Sequence, residues 1–183
     1  MRGLNTLRYM DLMAHLPLVT ERLVLRPLRE EDLDALSQLL GDPVAMRFFP
    51  RPRTREESRV WIARNQERYT VDGHGLWAVE RRADGAFLGD CGLVMQRPEG
   101  TPEVEVGYHF AREYWGQGYA TEAAGACIQL AFDVLRARRV IALIRPENTP
   151  SARVAERLGL RPLKRVDHAG MDHDLYVIER PGS

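Results

Sequence analysis

Apolar positions along the chain change period several times, and each change marks an element. From Glu103 to Phe110 they alternate, with Val104, Val106, Tyr108 and Phe110 on one side and Glu103, Glu105, Gly107 and His109 on the other. That pattern predicts a strand with one buried face. From Ala120 to Leu135 the period lengthens. Ala120, Ala123, Ala124, Cys127, Ile128, Ala131 and Leu135 recur at helical spacing, and the first of them are small enough to let the helix start lie close on a sheet. Val140 to Ile144 is an unbroken apolar run, the pattern of a strand covered on both faces in a parallel pair. Strand, turn, helix and strand in that order predict a βαβ unit, with its loop at the carboxyl end of the first strand.

The flanks read in the same way. Arg22 to Arg26 predicts a first strand, and Glu30 to Leu40 a short helix with Leu33, Leu36 and Leu40 inward, acidic residues in its first turn and Gly41 just beyond it. Arg47 to Arg53 is an arginine- and proline-rich connection. Thr54 and Glu57 form a capping-box pattern that starts a second helix through Trp61 towards Tyr69. Gly75 to Arg81 and Ala86 to Met95 predict antiparallel strands joined at Ala83-Asp84-Gly85. Thr149 as N-cap and Pro150 as first residue open a last helix that Gly159 closes, and Pro162 to Val166 with Asp172 to Ile178 make a final strand pair. Residues 1–17 are weakly patterned and are expected to form a tail, with residues 18–183 as one domain.

The turn between the alternating strand and the small-faced helix is Tyr114-Trp115-Gly116-Gln117-Gly118-Tyr119-Ala120. Two glycines two apart let the backbone take positive φ and approach a ligand closely. The helix that follows aims its first N–H groups and the positive end of its dipole at one point, an anion cradle of the size of a pyrophosphate. Two nucleotide loops are excluded by composition. A Walker loop ends in Gly-Lys-Ser/Thr, yet the only lysine is Lys164; a dinucleotide fingerprint needs a third glycine where Thr121 stands, and an acid closing the next strand where Ile144-Arg145 stands.

Charge adds exclusions. With 26 basic and 26 acidic residues the formal charge is zero, which leaves no electrostatic footprint for nucleic acid. No apolar run reaches the length of a membrane span. Cys91 and Cys127 have no metal-ligand spacing and read as small buried residues of a reducing compartment, so a cytoplasmic location is expected.

Taken together, these motifs resemble the GNAT superfamily of acyl-CoA-dependent N-acyltransferases, and within it the ribosomal-protein-alanine N-acetyltransferase branch. The carrying residues are Glu105-Val106-Gly107-Tyr108, then Tyr114 to Ala123, then Asn148-Thr149-Pro150-Ser151 running on to Leu158-Gly159-Leu160, with Thr20 to Arg26 and Asp42-Pro43-Val44 in support. The resemblance implies an α/β fold with a central mixed, mostly antiparallel sheet of about seven strands, helices on both faces and a splayed parallel strand pair. It implies acetyl-CoA as cosubstrate, no metal, and direct attack of a neutral amine on the thioester. The implied acceptor is a protein or peptide N-terminus. A small-molecule amine, or a non-catalytic acyl-CoA-binding module, are the alternatives, and monomer and homodimer are both open.

The resemblance also assigns roles. Backbone of Trp115, Gly116, Gln117, Gly118, Tyr119 and Ala120 would hold the pyrophosphate, while the pantetheine arm would run along the strand carrying Glu105. Backbone N–H groups around Tyr108, His109 and Phe110 would face the thioester oxygen. Glu105 matches the position of a general base in some members and shares its face with Glu103 and His109 as an expected polar cluster. Asn148 would contact the pantetheine, and Ser151 would hand a proton to the leaving thiolate. Many members place a tyrosine one helical turn further on, where this chain has Ala155. An α-amino group titrates near about 8, so positioning the amine is expected to outweigh deprotonating it.

Other polar residues are expected at the surface. His173 and Asp174 alternate to opposite faces of the last strand, and His168 lies in the turn before it. Trp61, Trp77 and Phe87 are expected in the core. Phe48, Phe49 and Tyr69 border a connection that would shape the acceptor site, and Arg47, Arg51, Arg53 and Arg55 would meet an acidic acceptor or solvent.

Overall fold

The period changes in the sequence become elements in a computed structural model that describes residues 12–182. The elements run β1 (Leu18–Val19), β2 (Leu23–Pro27), α1 (Leu33–Gly41), α2 (Arg55–Val71), β3 (Leu76–Arg81), β4 (Phe87–Gln96), β5 (Glu103–Phe110), α3 (Tyr119–Asp133), β6 (Arg139–Ile144), α4 (Thr149–Arg157), β7 (Arg161–His168) and β8 (Met171–Glu179). They form one eight-stranded sheet in the order β1-β2-β3-β4-β5-β6-β8-β7, antiparallel everywhere except between β5 and β6. The strand beyond the expected seven is the two-residue β1.

Local signals set most boundaries. Thr54 Oγ1 accepts from Glu57 N–H while Glu57 reaches back to Thr54 N–H, so the capping box starts α2 as the pattern predicts. Gly159 has φ +90° and closes α4, with Gly159 N–H donating to Glu156 O and Leu160 N–H to Ala155 O. Two caps differ from expectation. Gly41 is the last residue of α1, and Asp42 caps it with extended backbone. Asn148, not Thr149, is the N-cap of α4; its Oδ1 accepts from Ser151 N–H at 3.2 Å. Asparagine can bond the third amide of the helix, which places the cap one residue earlier.

Strand alternation divides the sheet into two covered faces. On one, Trp77, Val79, Cys91, Leu93, Val106 and Phe110 pack against Ala123, Ala124, Cys127 and Ala131 of α3, with Ala155 of α4 beside them. Leu12 is buried in this cluster and Leu16 packs against it; residues 1–11 of the expected tail lie outside the described residues. On the other face, Ala78 meets Leu36 and Leu40 of α1 and Ile62 of α2. Each buried Leu or Ile stabilises by roughly 1.5–3 kcal/mol, against about 0–1 for an exposed ion pair, so the two apolar layers hold the fold. The cysteines are free and buried as expected, with their Sγ atoms 3.8 Å apart.

Candidate active site

The parallel pair opens the sheet. β5 and β6 share a single registered position, Glu105 opposite Ile141, and beyond it they diverge. A crevice of about 750 Å³ passes through the gap and reaches both faces. Its wall on the α3 side is built from Gly116, Gly118, Tyr119, Asn148 and Ser151; on the α2 side it is built from Phe49, Arg53, Trp61, Glu105 and His109.

At the α3 end both glycines of the turn are left-handed, Gly116 at φ +74° and Gly118 at φ +82°. A Cβ at Gly116 would meet nothing within 4 Å, and one at Gly118 only Arg22 Nη2 at 3.5 Å. Glycine is needed here for its φ, not for lack of room. The turn delivers the first N–H groups of α3, which have no carbonyl one turn earlier, to the crevice mouth. Glu122 anchors this first turn across the fold. It accepts from Thr20 Oγ1 at 2.6 Å, from Arg22 N–H at 2.8 Å and from Arg22 Nε at 2.7 Å, while Arg22 Nη1 donates to Gln117 O at 2.9 Å. Partial burial raises the Glu122 carboxyl, but the bonds from Thr20 and Arg22 outweigh it and hold the group below its ordinary value. Trp115 Nε1–H donates to Phe110 O at 2.7 Å and ties the turn to the end of β5.

Alternation of β5 decides which amides face the gap. Ala111 N–H donates to Leu88 O on the β4 side, and the antiparallel ladder continues through Asp90 opposite His109. His109 N–H is therefore turned to β4. Tyr108 and Phe110, but not His109, carry N–H groups on the crevice edge.

On the α2 face the polar side chains of β5 are engaged separately rather than as one cluster. Glu103 pairs with Arg139. Glu105 Oε1 accepts from Leu143 N–H at 3.2 Å, bridging the diverging strands, and burial pushes its carboxyl above the ordinary value. His109 Nδ1 lies 2.6 Å from Oδ1 of Asp90, whose other oxygen accepts from Trp61 Nε1–H at 2.8 Å. Asp90 is 0% exposed. A carboxylate there accepts the hydrogen of Nδ1, and in the neutral ring that tautomer carries its lone pair on Nε2. The imidazole is held between Phe49 (centroids 5.4 Å apart) and the edge of Trp61 (5.5 Å).

On the α4 side Tyr108 takes a place that the sequence assigned to no side chain. Its hydroxyl donates to Ser151 O at 2.9 Å and accepts from Ser151 Oγ at 3.0 Å. Burial raises the phenol further above its ordinary range. Ala155 is buried in the core, and the phenol that bonds this helix start comes from β5.

Several expected placements change. Trp61 is a half-buried crevice wall, not core, because its N–H must reach Asp90; Phe87 is likewise half-buried, while Trp77 is fully buried. Tyr69 donates to Leu76 O and accepts from Leu28 N–H, tying α2 to the sheet. Arg51 and Arg55 turn away from the crevice to Glu57 and Asp34, whereas Arg47 and Arg53 line it. His173 is buried, not surface, with Nδ1 3.0 Å from Met171 O and its ring 5.6 Å from that of His168. Asp174 faces the other way and pairs with Arg165.

Residues 22–161 match the family of the acetyltransferase (GNAT) domain. The chain belongs to the GNAT acetyltransferase family. The uncharacterized protein YkkB of Bacillus subtilis is 39% identical over 154 residues, covering 84% of this chain and 90% of that one. The FsC-acetyl coenzyme A-N(2)-transacetylase of Aspergillus fumigatus is 32% identical over 162 residues, 82% of this chain and 67% of its own. Among solved structures, an acetyltransferase of Agrobacterium tumefaciens superimposes with a TM-score of 0.76 at 28% identity, covering 88% of this chain and 93% of that one. The family fold, with its mostly antiparallel sheet, flanking helices and splayed parallel pair, is the fold found here. Among the described residues no group of His, Cys, Asp or Glu could hold a metal ion, and no helix is long and apolar enough to cross a membrane.

Asp90 and Trp61 are the site side chains that sequence reasoning missed, and Tyr108, expected there for its backbone, brings its hydroxyl as well. An isolated acid inside the apolar run from Phe87 to Met95 was the available signal for Asp90, since a buried carboxylate needs a partner.

Proposed function

We propose that this GNAT protein is an acetyl-CoA-dependent N-acetyltransferase that moves the acetyl group directly to a primary amine. The observation that carries the reading is the through-sheet crevice. It has a helix N-terminus with two left-handed glycines at one mouth and buried acid–base groups at the other. The donor set fits coenzyme A: amide N–H groups at the start of α3 suit a pyrophosphate, and the open edge of β5 at Tyr108 and Phe110 suits the amides of a pantetheine arm.

Acetyl-CoA would supply an activated acyl carbon at the point where β5 and β6 part. The amine approaches from the α2 face. Glu105, whose carboxyl burial has raised above its ordinary value, takes the ammonium proton directly or through water, and His109 presents Nε2 on the same face. Free N–H groups of β5 stabilise charge on the carbonyl oxygen. The Tyr108–Ser151 hydroxyl pair returns a proton to the departing sulfur, the part that the resemblance assigned to Ser151 alone. Asn148 acts through its cap, holding Ser151 N–H in place.

The acceptor in this reading is a peptide or protein N-terminus, with a small amine as the second reading. The name of the Aspergillus relative, an N(2)-transacetylase, favours the latter. A reducing cytoplasmic setting is proposed from the two free, buried thiols. Thiol release from acetyl-CoA against two pools tests the proposal. One pool holds short peptides with free Ala, Ser, Thr and Met N-termini, and the other amino acids, polyamines and aminoglycosides. Release with peptides alone supports the first reading and release with small amines alone the second. Binding of acetyl-CoA without release in either pool would reject turnover.

A further inference from the structure

Basic side chains outnumber acidic ones along the crevice. Seven arginines line it, and Glu105 is its single carboxylate among the described residues. Elsewhere on the surface, arginines such as Arg51, Arg55, Arg59 and Arg165 are held in ion pairs. Strand alternation and helix position sort six of the seven by face, the seventh being Arg47, which stacks on Phe48 and Trp115. Arg153 and Arg157 belong to α4, on the side of the glycine turn, where cofactor phosphates would take them up. Arg53, Arg64, Arg68 and Arg145 lie on the opposite face: the first three just before and along α2, and Arg145 in phase with Ile141 and Leu143 of β6.

None of the three at α2 is in a close ion pair among the described residues, although the charge of Arg68 is felt at Glu105. Arg53 stacks its guanidinium 4.9 Å over the Trp61 ring, and its Nε is buried with no hydrogen-bond partner. Arg68 reaches only the amide oxygen of Asn65, at 3.4 Å. Arg145 Nε pairs with the exposed carboxylate of Glu147 at 3.4 Å, outside hydrogen-bond geometry, so its charge is shared between that acid and the crevice. The acids nearest this wall are already engaged: both Asp90 oxygens are occupied by Trp61 and His109, Glu105 accepts from the β6 backbone while feeling the charge of Arg68, and Glu147 pairs with Arg145. A buried guanidinium N–H left open expects an acceptor, and paired guanidinium groups match a carboxylate in bidentate geometry.

We infer that the acceptor amine carries a carboxylate close to it, and that Arg53, Arg64, Arg68 and Arg145 form its binding wall on the α2 face. The inference rests on the acetyltransfer reading for its amine and on the arginine geometry for its carboxylate. A free amino acid and a peptide N-terminus followed by acidic residues supply the same chemistry.

Two measurements test it. In the first, thiol release is followed with matched acceptors: amino acids against their carboxamides, and Ser-Asp-Glu peptides against Ser-Asn-Gln peptides. The carboxylate form of at least one pair should be favoured at least tenfold in kcat/KM, mainly through KM, and in the Arg64→Gln/Arg68→Gln variant that ratio should fall towards one. Which pair shows the preference identifies the source of the carboxylate. Equal or better use of the uncharged forms would overturn the inference while leaving the enzyme reading standing. In the second, succinate is titrated into the protein saturated with coenzyme A, read by tryptophan fluorescence because Trp61 lies under Arg53. Binding that weakens at least tenfold in the double variant, with no thiol release from any amine, would support the anion wall and reject acetyltransfer. Absence of both succinate binding and carboxylate preference would overturn the inference.

Discussion

Removing the Asp90 carboxylate separates the structural share of the Asp90–His109–Trp61 network from its chemical share. Asp90 is fully buried and spends both oxygens on donors, His109 Nδ1 at 2.6 Å and Trp61 Nε1–H at 2.8 Å. Asp90→Ala leaves both donors inside the fold with no acceptor, and at about 1–3 kcal/mol each the expected loss is roughly 2–6 kcal/mol. For a domain of this size that lowers Tm by roughly 5–20 °C. Asp90→Asn behaves differently. Its oxygen can keep the indole N–H, which only donates, and its NH2 can donate to Nδ1 if the imidazole hydrogen moves to Nε2. The fold then loses about 1 kcal/mol, while Nε2 no longer offers a lone pair to the crevice. Urea unfolding and single-turnover acetyl transfer should therefore diverge. Asp90→Asn should be nearly as stable as the wild type yet impaired in turnover, and Asp90→Ala impaired in both. Equal destabilisation by the two variants, or a loss under about 1 kcal/mol for Asp90→Ala, would refute the buried pairing.

Three further outcomes are expected. Glu105→Gln keeps an acceptor for Leu143 N–H but cannot take a proton. The acid limb of the kcat profile, which should rise with pH through a value above 4.5 in the wild type, should disappear; a limb that survives would clear Glu105 of the role. Because the folded state holds that proton more tightly, ionising Glu105 removes stability as pH rises through the same window, and the Gln variant should lack this loss in urea titrations. Tyr108→Phe should lower turnover about tenfold while acetyl-CoA affinity stays within about threefold, since it breaks the hydroxyl pair with Ser151 and leaves the glycine turn intact. Glu122→Gln should cost about 1 kcal/mol at neutral pH, a figure already reduced for the half-exposed Arg22. The Glu122 carboxyl is held low in the fold, so its contribution is present above 4.5 and fades as pH falls through the depressed value; the gap between wild type and variant should therefore close in acid.

What the sequence disclosed and what it hid divide by range. The capping box at Thr54 and Glu57, the left-handed glycines at 116, 118 and 159 and the alternation of β5 are local, and each is visible in a few neighbouring residues. Asp90 and His109 become neighbours only through the β4–β5 register, and a one-residue shift would have sent Asp90 to the α3 face. The Glu122 clamp joins residues about a hundred positions apart, from Thr20 and Arg22 to the first turn of α3, so nothing short-range marks it. The arginines were the least legible. Arg51 and Arg55 looked equivalent to Arg53 as charges, and only the path of the chain into α2 sends the former pair to Glu57 and Asp34 and Arg53 onto Trp61. Tyr108 was hidden by its own regularity, because it fits the apolar stripe of β5 and its hydroxyl becomes notable only when α4 is docked against it.

The central claim is that the glycine turn and the start of α3 cradle acetyl-CoA, and calorimetric titration of acetyl-CoA into three proteins tests it most directly. The three are the wild type, Gly118→Val at the turn (φ +82°) and Gly85→Val in the β3–β4 hairpin, whose φ of +71° carries the same backbone penalty away from the crevice. The account predicts that the wild type and Gly85→Val bind alike and that Gly118→Val binds more than about tenfold more weakly, because a strained turn re-aims the amides of the cradle. Equal affinity across all three, or no binding by the wild type, would contradict it.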